Sequence, residues 1–230
     1  MAGQQFDKRW YILGGFAVLA IVIVGIILIS RGGGSSDKSG SSTTASKENG
    51  CTKVAQPKPR NESLAKPKQT VKKGEKLTAV VETNCGTFDI ALNTTEAPIT
   101  TNSFAYLAEE GFYNELTFHR IVPEFVIQGG DPTATGTGGP GYTVTEAPPK
   151  KLQYTKGIVA MAKSSTDPSG ASGSQFYVVT GENAGLPAEY ALVGKVSKGL
   201  DVVERIGKLG NAEEKPTQVV EIEKMSIERG

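Results

Sequence analysis

The feature that most limits what this chain can fold into is Tyr11 to Ser30, YILGGFAVLAIVIVGIILIS, a run of about 20 apolar or small residues without a charge. At about 1.5 Å per helical residue it covers a hydrocarbon layer of roughly 30 Å, so it reads as a transmembrane helix behind a short tail, residues 1–10. A cleaved signal peptide is the competing reading, but the run is long for an h-region and Ile29-Ser30-Arg31 offers no small-x-small cleavage site. Lys8 and Arg9 precede the run and Arg31 and Lys38 follow it, so flanking charge hardly separates the two orientations. From Arg31 to about Gly50 the chain is mostly Gly, Ser, Thr and Lys, with little to bury. CTKVAQPKPRNESLAKPKQTVKKGEK then adds X-Pro steps and lysines, the composition of an extended strap. Residues 31–75 are therefore expected to be a flexible linker and strap, disordered or loosely docked. Residues 76–230 remain as one domain of ordinary size.

The formal charge is +1, and no basic block is interleaved with aromatics, so nucleic acid is excluded as a partner. Cys51 and Cys85 are the two cysteines, and neither has a neighbour at metal-ligand spacing. A disulfide between them would pin the strap to the domain and require an oxidising compartment; two unrelated thiols are the alternative. Together with an anchor and a tether, the bridge is the favoured reading. It places the domain on the extracytoplasmic side of a cell membrane, held by a single span.

Thr78 to Leu92 alternates apolar and polar residues on both sides of Asn84-Cys85-Gly86, the pattern of a β-hairpin. At Ala97 to Gly111 the period changes: Pro98 opens a helix with Phe104, Leu107 and Ala108 on one face, Glu109 and Glu110 outside, and Gly111 as the stop. Short strands are expected at Leu116 to Arg120, Phe125 to Gln128, Gly157 to Ala162, Gln175 to Thr180 and Ala191 to Val196. A second helix is expected at Gly199 to Ile206 and a last strand at Val219 to Ile227. Many short strands with two helices argue for a mainly β fold, an antiparallel barrel or sandwich, over an alternating parallel sheet.

His119 is the one histidine, which removes Ser-His-Asp and Cys-His nucleophilic sites and multi-histidine metal centres. Strict alternation puts it on the opposite strand face from Arg120, where a satisfied core or subsurface histidine is expected. Gly136 to Tyr142 lacks the Lys-Ser/Thr ending of a phosphate loop and reads as a plain loop. Glu109, Glu110, Glu213 and Glu214 read as solvated charges.

The stretch FHRIVPEFVIQGGD, Phe118 to Asp131, sets one arginine among apolar side chains and follows it with an amide. Arg120 stays protonated and cannot act as a base, but it presents a fixed fork of donors to a polar ligand atom. Together with GTGGPGY, GIVAMA, GSQFYVVT and ALVGKV in this order, the stretch closely resembles the cyclophilin family of peptidyl-prolyl cis-trans isomerases, in a membrane-anchored, bacterial-like form. The resemblance covers about Lys76 to Glu228 and implies an eight-stranded, closed antiparallel β-barrel capped by two α-helices.

It further implies that Arg120 donates to the prolyl nitrogen, that Phe125 lines a proline pocket, and that Gln128 orients arginine and substrate. By the same resemblance Val126, Tyr177 and Leu186 line that pocket, Ala162 and Lys163 offer a backbone edge to the bound peptide, and Gln175 is a peptide-contacting amide. Tyr190 stands where many relatives carry histidine and Gly185 where many carry tryptophan. The loop Ser164 to Gly173 is longer than in the best-known members. The implied partner is a proline-containing, unfolded or exported polypeptide, handled by a monomer without metal or cofactor. The rival function is a module that binds proline-containing segments without useful turnover, a reading that Gly185 and the altered loop keep open.

Overall fold

The structure is a computed structural model that describes residues 47–230. The span expected at residues 11–30 and the first part of the linker lie outside the described residues. Among those described, no helix is long and apolar enough to cross a membrane.

In chain order the elements are β1 (Lys47–Glu48), β2 (Cys51–Thr52), β3 (Leu77–Thr83), β4 (Gly86–Leu92), α1 (Pro98–Glu109), β5 (Leu116–Thr117), β6 (Arg120–Val122) and β7 (Val126–Gly129). They continue with β8 (Val144–Thr145), β9 (Ile158–Met161), β10 (Ala171–Ser172), β11 (Phe176–Val179), β12 (Leu192–Lys198), α2 (Leu200–Gly207) and β13 (Glu221–Arg229). Nine strands form one antiparallel sheet in the order β5-β13-β3-β4-β12-β9-β11-β7-β6. Two small ladders, β1 with β2 and β8 with β10, stand apart from it.

The sheet curls into a half-barrel and does not close, which corrects the expected eight-stranded closed barrel. Its two edges, β5 and β6, follow one another in the chain with Phe118 and His119 between them. They are not paired: β5 bonds to β13 and β6 to β7. The single strand expected at Leu116 to Arg120 is therefore two. Phe118 and Ile121 are both fully buried, three positions apart, so the period of two breaks at His119 and Arg120.

Hairpin β3–β4 turns at Asn84-Cys85, with Thr83 opposite Gly86. Along β3 Leu77, Ala79, Val81 and Thr83 face inward while the residues between are half-buried, the alternation of a strand with one wet face. Helix α1 opens with proline and lacks a side-chain cap of its own. The Glu146 carboxylate supplies one from another loop, accepting the N–H groups of Ile99 at 3.2 Å and Thr100 at 2.7 Å, where an anion also suits the helix dipole. This helix packs on β12 and β13, and α2 packs on β4 and β7. The core between them is aromatic: Phe176 meets Phe104, Tyr113 and Phe118 edge to face at 5.4, 5.5 and 5.9 Å, a geometry that ring quadrupoles favour.

The strap is docked more firmly than its composition suggests. Cys51 and Cys85 are joined as a disulfide and both are buried. Further along, the Asn102 side chain on α1 accepts the N–H groups of Thr70 at 2.8 Å and Val71 at 3.0 Å, and donates to the Lys68 carbonyl at 3.0 Å. Between these points Arg60 N donates to the Pro132 carbonyl, its guanidinium to the Phe112 carbonyl, and Leu64 N to the Pro140 carbonyl. A segment with little apolar area is thus held through its backbone polar groups.

Candidate active site

Alternation divides β7, β9 and β11 between two apolar clusters. Ile127, Val159, Met161, Phe176 and Val178 face the main core, and Val126, Ala160, Tyr177 and Val179 face a second, smaller cluster on the outer side. Strand register then sets a row across the sheet: Arg120 lies opposite Gln128, Gln128 opposite Tyr177, and Tyr177 opposite Ala160. The row carries a cation, an amide and a ring side by side at the border of the second cluster.

The polar half of the row is a chain of hydrogen bonds. Arg120 Nη1 donates to Gln128 Oε1 at 3.3 Å, Gln128 Nε2 to Gln175 Oε1 at 3.0 Å, and Gln175 Nε2 to the Gly138 carbonyl at 3.0 Å. Arg120 Nε also donates to Glu214 Oε2 at 2.6 Å, so Glu214 is not the solvated charge its setting in the sequence suggests. Gly138 belongs to the loop 136–142, which Asp131 organises. This buried carboxylate accepts the Thr133 N–H at 2.7 Å, the Thr133 hydroxyl at 2.8 Å and the Gly138 N–H at 3.2 Å. Burial pushes the Asp131 carboxyl up, but the donors of Thr133, Gly138 and Gly136 outweigh it and hold it below its ordinary value.

In the apolar half, Phe125, Ala162, Leu186 and Tyr190 are half-buried against Val126 and Tyr177. Tyr190 packs edge to face on Tyr154 at 5.9 Å and on Tyr177 at 5.8 Å. Its position is fixed through the backbone, because the Tyr154 hydroxyl donates to the Tyr190 carbonyl at 2.6 Å and accepts its N–H at 3.0 Å. Lys163 lies with Nζ 5.4 Å from the Tyr190 ring centroid and 3.6 Å from the Glu189 carboxylate. The Tyr177 hydroxyl is buried without a hydrogen-bond partner, and that burial pushes its pKa well above the ordinary tyrosine value, so it stays protonated.

A cavity of about 680 Å3 opens beside this wall, lined in part by Gln128, Gly138, Ala162, Lys163, Ser174 and Gln175. Phe125, Val126, Tyr177, Leu186 and Tyr190 do not line it; they form the adjacent apolar cluster. Gly185, at φ +63°, faces open space where a side chain would begin. Among the described residues there is no group of three or more His, Cys, Asp or Glu able to hold a metal ion.

His119 departs from expectation. Both ring nitrogens are buried without a well-formed hydrogen bond. Burial lowers its pKa, and the nearby Asp131 charge and Thr117 backbone only partly oppose that. It sits at the seam between β5 and β6. Sequence reasoning also missed Tyr154, Asp131 and Glu214; the GGD ending at Asp131 is the one local signal among them.

The sequence model of the family described as cyclophilin type peptidyl-prolyl cis-trans isomerase/CLD matches residues 78–227. The chain belongs to this family. Peptidyl-prolyl cis-trans isomerase-like 1 of Neurospora crassa is 37% identical over 154 residues, 65% of this chain and 93% of that protein. The mouse protein of the same name is 38% identical over 147 residues, 62% of this chain and 87% of the relative. A Cryptosporidium parvum cyclophilin type peptidyl-prolyl cis-trans isomerase, solved in the presence of the dipeptide Ala-Pro, superimposes with a TM-score of 0.61 at 29% identity. It covers 66% of this chain and 99% of that one.

The cyclophilin-type domain is thus a peptidyl-prolyl cis-trans isomerase, acting on proline-containing polypeptides. The bacterial-like, membrane-anchored form is corrected: these relatives are eukaryotic isomerase-like 1 proteins, matched over the domain. With it goes the cell-membrane location, corrected on the same relatives.

Proposed function

We propose that this isomerase lowers the barrier to X-Pro rotation by donating from Arg120 to the prolyl nitrogen. Amide resonance opposes rotation with roughly 18–20 kcal/mol. As the bond twists, the nitrogen becomes pyramidal and regains a lone pair. A donor aimed at that pair binds the twisted state better than the planar one, which is the condition for rate enhancement. No bond to the protein forms, so a permanently protonated guanidinium suffices.

The observation that carries the reading is the chain from Arg120 through Gln128 and Gln175 to Gly138, set at the border of an apolar wall. The amides hold the guanidinium in one orientation. Phe125, Val126, Tyr177, Leu186 and Tyr190 grip the proline ring, and Gln175 with the backbone at Ala162 and Lys163 holds the peptide on either side. The clients are exported polypeptides; the Cys51–Cys85 bridge supports this, because disulfides persist in oxidising compartments.

A protease-coupled prolyl-peptide assay on the full chain tests the mechanism. Arg120→Ala is expected to lower kcat/KM by about 10²- to 10³-fold, the usual cost of removing one transition-state donor. A variant as active as the parent sinks it.

A further inference from the structure

Glu214 has no place in the site as drawn from the motif residues, yet its carboxylate makes the shortest polar contact to Arg120 there, 2.6 Å from Nε. A guanidinium is planar, with donors in a fixed fork. Tying Nε to Glu214 and Nη1 to Gln128 Oε1 at 3.3 Å fixes both the plane and its rotation. The remaining N–H groups are left to point at a ligand.

The loop that carries Glu214 is built to place it. Ile121 N, one residue past Arg120, donates to the Glu214 carbonyl at 2.9 Å, and Glu214 N donates to the Asn211 carbonyl at 3.1 Å. Asn211 Oδ1 accepts the N–H groups of Glu213 at 3.0 Å and Lys215 at 2.9 Å. Gly210 pairs with Pro216 across the loop, and a Cβ at Gly210 would stand 2.3 Å from the Ile121 carbonyl oxygen, so only glycine lets the loop lie this close to β6. Glu214 itself holds φ +60°, a left-handed conformation rarely adopted outside glycine and tolerated where the surroundings dictate it.

We infer that Glu214 is a positioning residue for the isomerase reaction, holding the Arg120 guanidinium in the orientation that meets the prolyl nitrogen. The inference rests on the reading of Arg120 as the donor. The two side chains are 34% and 44% exposed, so solvent screens the pair and its contribution lies in geometry rather than in stability.

The test measures kcat, KM and the thermal midpoint on the full chain for the parent, Glu214→Ala, Glu214→Gln, Arg120→Ala and the Glu214→Ala/Arg120→Ala double variant. Glu214→Ala is expected to lower kcat by about tenfold with KM and midpoint little changed, the signature of a misoriented catalytic group. Glu214→Gln keeps an oxygen acceptor for Nε and should recover to within about threefold of the parent. In the Arg120→Ala background, Glu214→Ala should cost nothing further, since its effect passes through the guanidinium. A Glu214→Ala rate equal to the parent overturns the inference. A rate above the parent does so too, by showing that the carboxylate competes with substrate. An equal loss in both backgrounds also overturns it, by assigning the effect to the loop. An Arg120→Ala variant at parental rate overturns instead the reading on which the inference rests.

Discussion

The two faces of β11 carry the same kind of residue to opposite ends. Phe176 and Val178 turn to the main core, where Phe176 is ringed by Phe104, Tyr113 and Phe118 and the Tyr113 hydroxyl donates to the Ser174 carbonyl at 3.1 Å. Tyr177 and Val179 turn to the outer cluster, where Phe125, Leu186 and Tyr190 are half-buried and the Tyr177 hydroxyl has no partner. One face is filled and satisfied; the other is left incomplete. The difference teaches that a finished core stiffens the strands on which an unfinished surface can hold a ligand.

The sharpest way to break this comparison is Phe176→Ala. Removing a fully buried ring leaves a cavity, and unfolding stability should fall by about 3–5 kcal/mol in denaturant titration. Arg120→Ala, on the other face, should leave the denaturation midpoint nearly unchanged while activity collapses. If the two variants affect stability alike, the division of labour between the faces is wrong.

Next in size is the bridge. Cys51 and Cys85 are 34 residues apart, and closing a loop of that length restricts the unfolded chain by about 3–4 kcal/mol at most. Cys51→Ser should lower the denaturation midpoint accordingly, less whatever the backbone bonds of the strap to Asn102 and Pro140 retain. An unchanged midpoint would mean that those bonds alone hold the strap, and that the core does not depend on it.

How far the sequence could be read follows the same division. The β3–β4 hairpin, both helices and most of the strands were legible because each has a local period and a local stop, such as Pro98 and Gly111 around α1. Arg120, Gln128 and Gln175 stand out through their motifs; register sets Arg120 opposite Gln128, and a side-chain hydrogen bond joins Gln175 to them. The open seam was not: Leu116 to Val122 contains no Gly, Pro or other turn residue, and alternation cannot show that the chain changes partner at His119. Glu214 lies 94 residues from Arg120, and only the fold brings them into contact. The strap looked loose because composition counts apolar area, whereas its docking comes from an amide side chain and paired backbone groups.

The seam offers a prediction in pH. Burial holds the folded His119 pKa below its ordinary 6.5, so between the two values the unfolded chain binds more protons than the folded one. Stability should therefore be full above about pH 6.5 and decline as pH falls from there toward the depressed folded value. His119→Phe should remove that part of the slope in denaturation followed across pH 5–7. A slope unchanged in the variant would assign it to carboxylates such as Asp131, whose lowered pKa sets its own loss at more acidic pH.

The smallest effect should come from the outer face itself. The Tyr177 hydroxyl is buried without a partner, and an unsatisfied polar group costs about 1–3 kcal/mol in desolvation that a phenyl ring does not incur. Tyr177→Phe keeps the aromatic wall and its packing on Tyr154 and Tyr190. It should therefore be neutral or more stable by about 1 kcal/mol, with kcat/KM within about threefold of the parent. A clear loss of stability would reveal that the hydroxyl is satisfied, by an ordered water or by movement of the cluster. The outer face would then be as complete as the core, and the contrast between the two sides of β11 would have to be drawn from ligand contacts alone.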